Sequence, residues 1–232
     1  KFDPTFISDL EFWFRYNQGV IITSGTSVDT WVDSTNTYYA KAPDGGDDKP
    51  TWTSSGINFD GTQQSLEFFE PNGTTQNPHT LDTSGGWTVG AIYTDGDWDA
   101  AAAAIVGDSD SNQHFIRHNS GANSFSVKAS NQLTTLALDE ALTNGTYYLI
   151  MVTCNALESE LKLYVNNVQQ DASTTVTFTN NTKDLEIEAI GEKNNTNLLG
   201  GIVRHVFAYN KELSVAERTS IKNWADDFLG DD

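Results

Sequence analysis

Apolar residues in this chain recur at every second position in short runs, and Gly, Asn, Asp or Pro interrupts those runs every 8 to 15 residues. A period of two puts successive side chains on opposite faces of an extended backbone, so the pattern demands strands. Short strands separated by turn signals at this spacing are the raw material of an all-β sandwich. The strongest run, 146–154, is apolar at almost every position and follows the turn pair Asn144-Gly145, which predicts a strand buried on both faces. Leu161, Leu163 and Val165 alternate with Lys162, Tyr164 and Asn166. The pair Asn166-Asn167 tolerates positive φ before Val168 resumes the extended pattern, so the stretch reads as a hairpin. Further strands are expected at 10–16, 57–59, 66–69, 87–93, 103–106, 114–117, 124–128, 176–178, 185–190 and 202–209.

One helix breaks the period. Ser214 can cap its first amides, and Glu217 three residues on completes a capping box, so a helix is expected over 214–229, ending before Gly230. Val215, Ile221, Trp224, Ala225 and Phe228 make much of its apolar stripe, which should dock on the outside of the sandwich.

Composition narrows the class. The 32 acidic residues outnumber 13 basic ones, for a formal charge of -19, and such a field repels phosphate backbones and anionic lipid. Neither nucleic acid nor a membrane is therefore an expected partner. With 38% hydrophobic residues, including 6 Trp, 8 Tyr and 12 Phe, the chain can build a real core, and 27 Thr and 20 Asn favour strands and polar loops. The lone Cys154 closes no internal disulfide and rules out cysteine-based metal clusters. No window approaches the roughly 18 consecutive apolar residues of a membrane helix. Length and pattern together suggest a single domain over residues 1–232.

Four segments of the last third then resemble one family. The turn and strand from Asn144 to Ile150, the hairpin Leu161-Lys162-Leu163-Tyr164-Val165-Asn166-Asn167, the strand from Leu185 to Gly191, and the closing stretch Gly201-Ile202-Val203 through Tyr209-Asn210-Lys211-Glu212-Leu213-Ser214 are similar to concanavalin A-like, or laminin G-like, jelly-roll modules of bacterial and phage surface proteins. Leu10-Glu11-Phe12-Trp13-Phe14 and Ile57-Asn58-Phe59-Asp60-Gly61 resemble the family's opening strand and its F-D-G turn. The resemblance implies a two-sheet antiparallel jelly-roll sandwich with the C-terminal α-helix packed outside. Its motifs are turns and alternating apolar residues, which specify a fold far better than a function.

Some relatives of that kind hydrolyse glycans, and a retaining glycosidase needs two carboxyl groups about 5 to 5.5 Å apart. Glu186 and Glu188 supply the first two acids of the family's strand motif, but Ile190 and Gly191 stand where the third is needed, so no catalytic residue is assigned and no enzyme is expected. His114 and His118 have i,i+4 spacing, yet on a strand they would stand about 13 Å apart, too far to share a metal. Cys154 lies in the most apolar strand and is expected to be a buried hydrophobe. The loops Asp95-Gly96-Asp97-Trp98-Asp99 and Asp108-Ser109-Asp110-Ser111-Asn112 set oxygen ligands at alternate positions, the arrangement calcium prefers. Asp95, Asp97, Asp99, Asp108 and Asp110 are thus the candidate calcium ligands, in a protein that otherwise requires no cofactor. Trp98 and Trp52, if exposed, are the candidate rings for stacking on sugars.

The function expected from these features is that of a non-catalytic virion protein, a capsid decoration, head-fibre or tail component. It would dock on other proteins of a surface assembly and contact host glycans. The alternatives are a lectin-like module of a bacterial adhesin or secreted protein and, third, a divergent glycosidase. The expected location is a virion surface or the extracellular space. The polar segment 173–181 is the expected docking edge.

Overall fold

The computed structural model describes residues 2–43, 48–81, 85–98, 101–121, 123–155, 157, 159–178 and 184–229. In chain order, β1 (Leu10–Arg15), β2 (Val20–Ser24), β3 (Ser27–Val32), β4 (Tyr39–Lys41), β5 (Thr51–Thr53) and β6 (Gly56–Asp60) come first. They are followed by β7 (Leu66–Phe69), β8 (His79–Leu81), β9 (Trp87–Asp95), β10 (Ala103–Gly107), β11 (Phe115–His118), β12 (Ser124–Ala129) and β13 (Gln132–Ala137). The last are β14 (Tyr148–Asn155), β15 (Glu160–Val165), β16 (Val168–Gln169), β17 (Val176–Thr177), β18 (Leu185–Ile187), β19 (Ala189–Ile190) and β20 (Gly200–Tyr209), before the helix α1 (Val215–Leu229).

All strand pairs are antiparallel, and they form two layers. The back layer runs β1, β20, β9, β14, β15, with β6 beside the first half of β20 and β16 and β17 beside β15. The front layer runs β2, β3, β4, β7, β19, β10, β11, β12, β13. A short rung from β3 through β5 to β6 joins them at one side. β8 and β18 pair separately.

β9 and β14, at the centre of the back layer, read as nearly continuous apolar runs because both of their faces are covered. Phe12, Phe14, Val89, Ala91, Tyr93, Ile150 and Val152 point into the inter-sheet core, where they meet Trp31, Phe68, Ile116, Phe125 and Val127 of the front layer. Their neighbours Trp13, Ile92, Leu149, Met151, Phe207 and Tyr209 point the other way and meet Ile221, Trp224 and Ala225 of α1. All nine positions of β9 are buried as a result. Gly90 sits in the middle of that strand because a Cβ there would come within 2.2 Å of the Phe207 ring.

The expected all-β sandwich with an external C-terminal helix is what the chain forms. Ser214 caps α1: Glu217 accepts from the Ser214 amide and hydroxyl, each at 2.8 Å. Val215 does not join the buried stripe and is 69% exposed. It lies nine residues before Trp224, about two and a half turns, and so on the opposite side of the helix. Asn166 and Asn167 take φ of 49° and 67°, the left-handed pair expected for the 161–168 hairpin. The run 185–190 is two strands rather than one, because the chain changes partners at Glu188: β18 pairs with β8, whereas β19 pairs with β7 and β10.

Candidate functional site

The acidic loops bind their own backbone. Asp95 is buried; its Oδ1 accepts from the Asp97 amide at 2.9 Å, and its Oδ2 lies 3.0 Å from His118 Nε2. Asp108 is buried too, and its Oδ2 takes the Gln113 and His114 amides at 2.8 and 3.0 Å and the Ser111 hydroxyl. Asn112, the last oxygen residue of that loop, accepts from Lys193 Nζ through its side chain and from Lys128 Nζ through its carbonyl. Asp97 and Asp110 are exposed, and Asp99 lies outside the described residues. Among the described residues no three His, Cys, Asp or Glu side chains are grouped to hold a metal. Among the described residues Asp95, Asp97, Asp108 and Asp110 are thus not gathered around one point: both oxygens of Asp95 and Oδ2 of Asp108 are bonded within the protein, while Asp108 Oδ1 is buried without a partner.

Trp98 is not an exposed stacking ring. It is 6% exposed and rests on Tyr93, His118 and Tyr148, with ring centroids at 5.0, 5.1 and 6.1 Å. Its amide donates to Asn144 Oδ1 at 3.0 Å and its indole N–H to the Thr143 carbonyl at 3.2 Å, so it latches its loop onto the turn that precedes β14. An aromatic flanked by acids reads as exposed in the sequence, but here it plugs the end of the inter-sheet core.

Trp52 behaves differently. Only partly buried, it lines an open groove of about 260 Å³ with Tyr16, Asn17, Gln18, Gly19, Val20 and Ile22. Its indole N–H donates to the Tyr16 carbonyl at 3.0 Å, and that of Trp31 to the Arg15 carbonyl at 2.8 Å, so both rings are pinned to the turn between β1 and β2. The turn is fixed in its own right. Gly19 has φ of +74°, and a Cβ there would come within 2.3 Å of the Val32 carbonyl oxygen. The result is a rigid aromatic wall beside two amide side chains at the seam where β3, β5 and β6 join the layers. Tyr16, Asn17 and Gln18 were not legible as partners of Trp52, because they meet it across 36 residues of sequence through strands too short and polar to announce themselves.

A larger open groove, about 460 Å³, lies on the outer face of the back layer. Asn58, Asp60, Thr94 and Ile202 border it, with Gly96, Gly145, Gly200 and Gly201 among the residues that line it. Tyr147 also lines it, but that ring is 6% exposed, with the Arg204 guanidinium 3.6 Å from its centroid.

The carboxylates of the strand motif are dispersed. Glu186 lies in β18, 3.4 Å from the Thr80 hydroxyl, and Glu188 at the break accepts from the Ser109 amide and hydroxyl at 2.8 and 3.0 Å. Glu192, which the sequence did not single out, is 1% exposed; burial raises its pKa, and Glu67 and Glu188 add to the shift. Cys154 is fully buried, as expected.

Two facing antiparallel sheets with a helix on the outer face define a jelly-roll sandwich of the lectin type. The family model for the concanavalin A-like lectin/glucanases superfamily, in its Laminin_G_3 form, matches residues 69–217, and the chain belongs to that family. No curated protein matches it in sequence. Among solved structures it is similar to Trypanosoma rangeli sialidase in a difluoro-KDN complex (TM-score 0.64, 12% identity, 97% of this chain and 34% of that one). It is similar to the same sialidase with the inhibitor DANA (TM-score 0.60, 13% identity, 100% and 36%). A structure titled HCR/D F1240A mutant is also similar (TM-score 0.60, 9% identity, 93% and 51%). The chain thus spans about a third of the sialidase chains, and at these identities the likeness is one of fold.

Proposed function

We propose that the chain is a non-catalytic carbohydrate-binding module whose saccharide lies in the Trp52 groove. The observation that carries this reading is the pairing of a pinned, partly exposed indole with Tyr16 and the amides of Asn17 and Gln18. Sugars present C–H faces to aromatic rings and hydroxyls to amides, and this wall supplies both without reorganisation on binding. Membership of a lectin and glucanase family supports the same reading. Glu186 on β18 and Glu188 bonded to Ser109 engage different neighbours, and Glu192 is buried, which supports binding without hydrolysis.

The module sits at an extracellular surface, that of a bacteriophage virion in the reading the motifs favour, and docks there on other assembly proteins. An open strand edge supports docking. Among the described residues β13 has β12 as its one ladder partner, and its Leu133 is 54% exposed; this edge, which runs near β15 and β17, supports extension of the front layer by a partner strand.

Glycan-array binding by the chain and by Trp52→Ala tests the first reading. Replacing Trp52 should weaken binding about tenfold, or about 1.4 kcal/mol, with no new reducing ends released from bound glycans. Equal binding by both proteins would refute the groove, and turnover abolished by Glu186→Gln would refute the non-catalytic assignment.

A further inference from the structure

The outer face of the front layer gathers three cations in a chain that has only 13. Ile116 and Val127 point into the core, so Phe115 and Arg117 on β11 and Lys128 on β12 face outward, with Lys128 directly opposite Phe115 in the ladder. Lys193 reaches the same place from the turn after β19. The Arg117 guanidinium lies 5.0 Å and Lys193 Nζ 4.9 Å from the centre of the Phe115 ring.

Neutral oxygens hold all three. Arg117 Nη1 donates to Asn197 Oδ1 at 2.7 Å, Lys193 Nζ to Asn112 Oδ1 at 2.6 Å, and Lys128 Nζ to the Asn112 carbonyl. The Asn197 amide is itself oriented by a 3.2 Å bond to the Ala102 carbonyl. Elsewhere Lys49, Lys162, Lys211 and Lys222 find carboxylates, whereas Lys41, Arg204 and Arg218 rest singly on backbone carbonyls and aromatic rings; around Phe115 three cations lie together. Among the described residues no carboxylate is ion-paired with Arg117, Lys128 or Lys193. Asp108 acts on Lys193 from beyond ion-pair distance; its Oδ2 is bonded to its own loop and its Oδ1 is buried without a partner. Burial, together with repulsion from Arg117 and Lys128, lowers the pKa of Lys193, and burial lowers that of Arg117. The Arg117 Nε–H is buried without a partner. Charges kept together at that cost, oriented by amides and with no carboxylate in ion-pair contact among the described residues, are arranged for an anion that arrives from outside.

We propose that this cluster is an oxyanion site, in which Arg117, Lys128 and Lys193 receive the carboxylate or sulfate of an acidic polysaccharide. It is independent of the Trp52 groove. A formal charge of -19 repels any polyanion at long range, so binding of one reports a local site rather than general attraction.

The test is calorimetric titration of the full chain with polygalacturonate, dextran sulfate and neutral dextran, with inorganic sulfate as competitor. At least one polyanion should bind, neutral dextran should not, and sulfate should compete. Which polyanion binds tells carboxylate from sulfate ester. Lys128→Gln, on the exposed rim, and Arg117→Gln should each weaken binding about tenfold or more with unchanged circular dichroism, whereas Lys222→Gln, the same charge change on α1, should not. Absence of binding to both polyanions, or equal weakening by Lys222→Gln and Lys128→Gln, would overturn the proposal.

Discussion

Acid should cost this fold about 3 kcal/mol at a single buried imidazole. His79 on β8 is 8% exposed, with its ring 5.7 Å from Phe12 and 5.1 Å from Tyr38, and Nδ1 shares a 2.6 Å hydrogen bond with the Tyr38 hydroxyl. Burial pushes its pKa down from 6.5 to about 4, against a smaller opposing pull from Asp33. The folded protein therefore keeps the ring neutral between those values while the unfolded chain takes up a proton. Stability from this residue is complete above pH 6.5, falls as the pH drops towards 4, and levels off below. A gap of about 2.5 units at 1.36 kcal/mol each gives the roughly 3 kcal/mol. Glu11 Oε2 lies 3.6 Å from Nε2, close enough for an ion pair, but burial and Asp9 raise the Glu11 pKa, and desolvation of the imidazole dominates. Urea unfolding of the native chain and His79→Gln at pH 7, 5.5 and 4 isolates the effect. His205, fully buried with its pKa also lowered, and the carboxylates contribute to both proteins. The native chain should lose about 3 kcal/mol more than the variant over that range. Parallel losses, within about 0.5 kcal/mol, would refute the argument and mean that the Glu11 contact neutralises the protonated ring.

Two further outcomes follow from packing. Trp224 stacks on Trp13, His205 and Phe228 at 5.2, 4.8 and 5.0 Å, so Trp224→Ala should cost about 3 to 5 kcal/mol in chemical denaturation, and a loss below about 1 would mean that α1 is not docked. Gly90→Ala drives a methyl into the Phe207 ring and should cost about 1 to 3 kcal/mol, read as a lower melting temperature.

The middle of the back layer was legible because β9 and β14 are covered on both sides and so are apolar at nearly every position. The hairpin turn at Asn166-Asn167 and the cap at Ser214 were legible because each is a local device, complete within four residues. β2, β3, β4, β5, β8 and β13 went unread. They are short, several are rich in Thr and Ser, and they owe their existence to neighbours distant in sequence, as when Tyr39 pairs with Phe69. The candidate sites fared as their physics dictates. Trp52 could be nominated by type, but its groove is assembled from the turn after β1. The acidic loops could be nominated by spacing, yet spacing does not tell that His118, Lys128 and Lys193 have already engaged their oxygens. The cation cluster around Phe115 was not nominated, since its members come from two adjacent strands and a turn some 65 residues further on.

The antiparallel pairing of β1 with β20 also decides how the molecule responds to pulling. Leu10 is opposite Tyr209, and the Tyr209 hydroxyl and the Asn210 amide hold the carbonyls of Pro4 and Asp9 at 2.9 and 2.8 Å, so the start of β1 and the end of β20 leave the sheet at the same corner. Tension applied between residue 2 and residue 229 acts at one end on the start of β1 and at the other on α1, which must peel from Phe228 inward through the Trp224 contacts before the pull reaches the end of β20. Beyond that point the force acts on one rung at a time, from Leu10–Tyr209 towards Arg15–His205, and the ladder unzips rather than shears. The helix, not the sheet, is therefore the mechanical clasp of the fold.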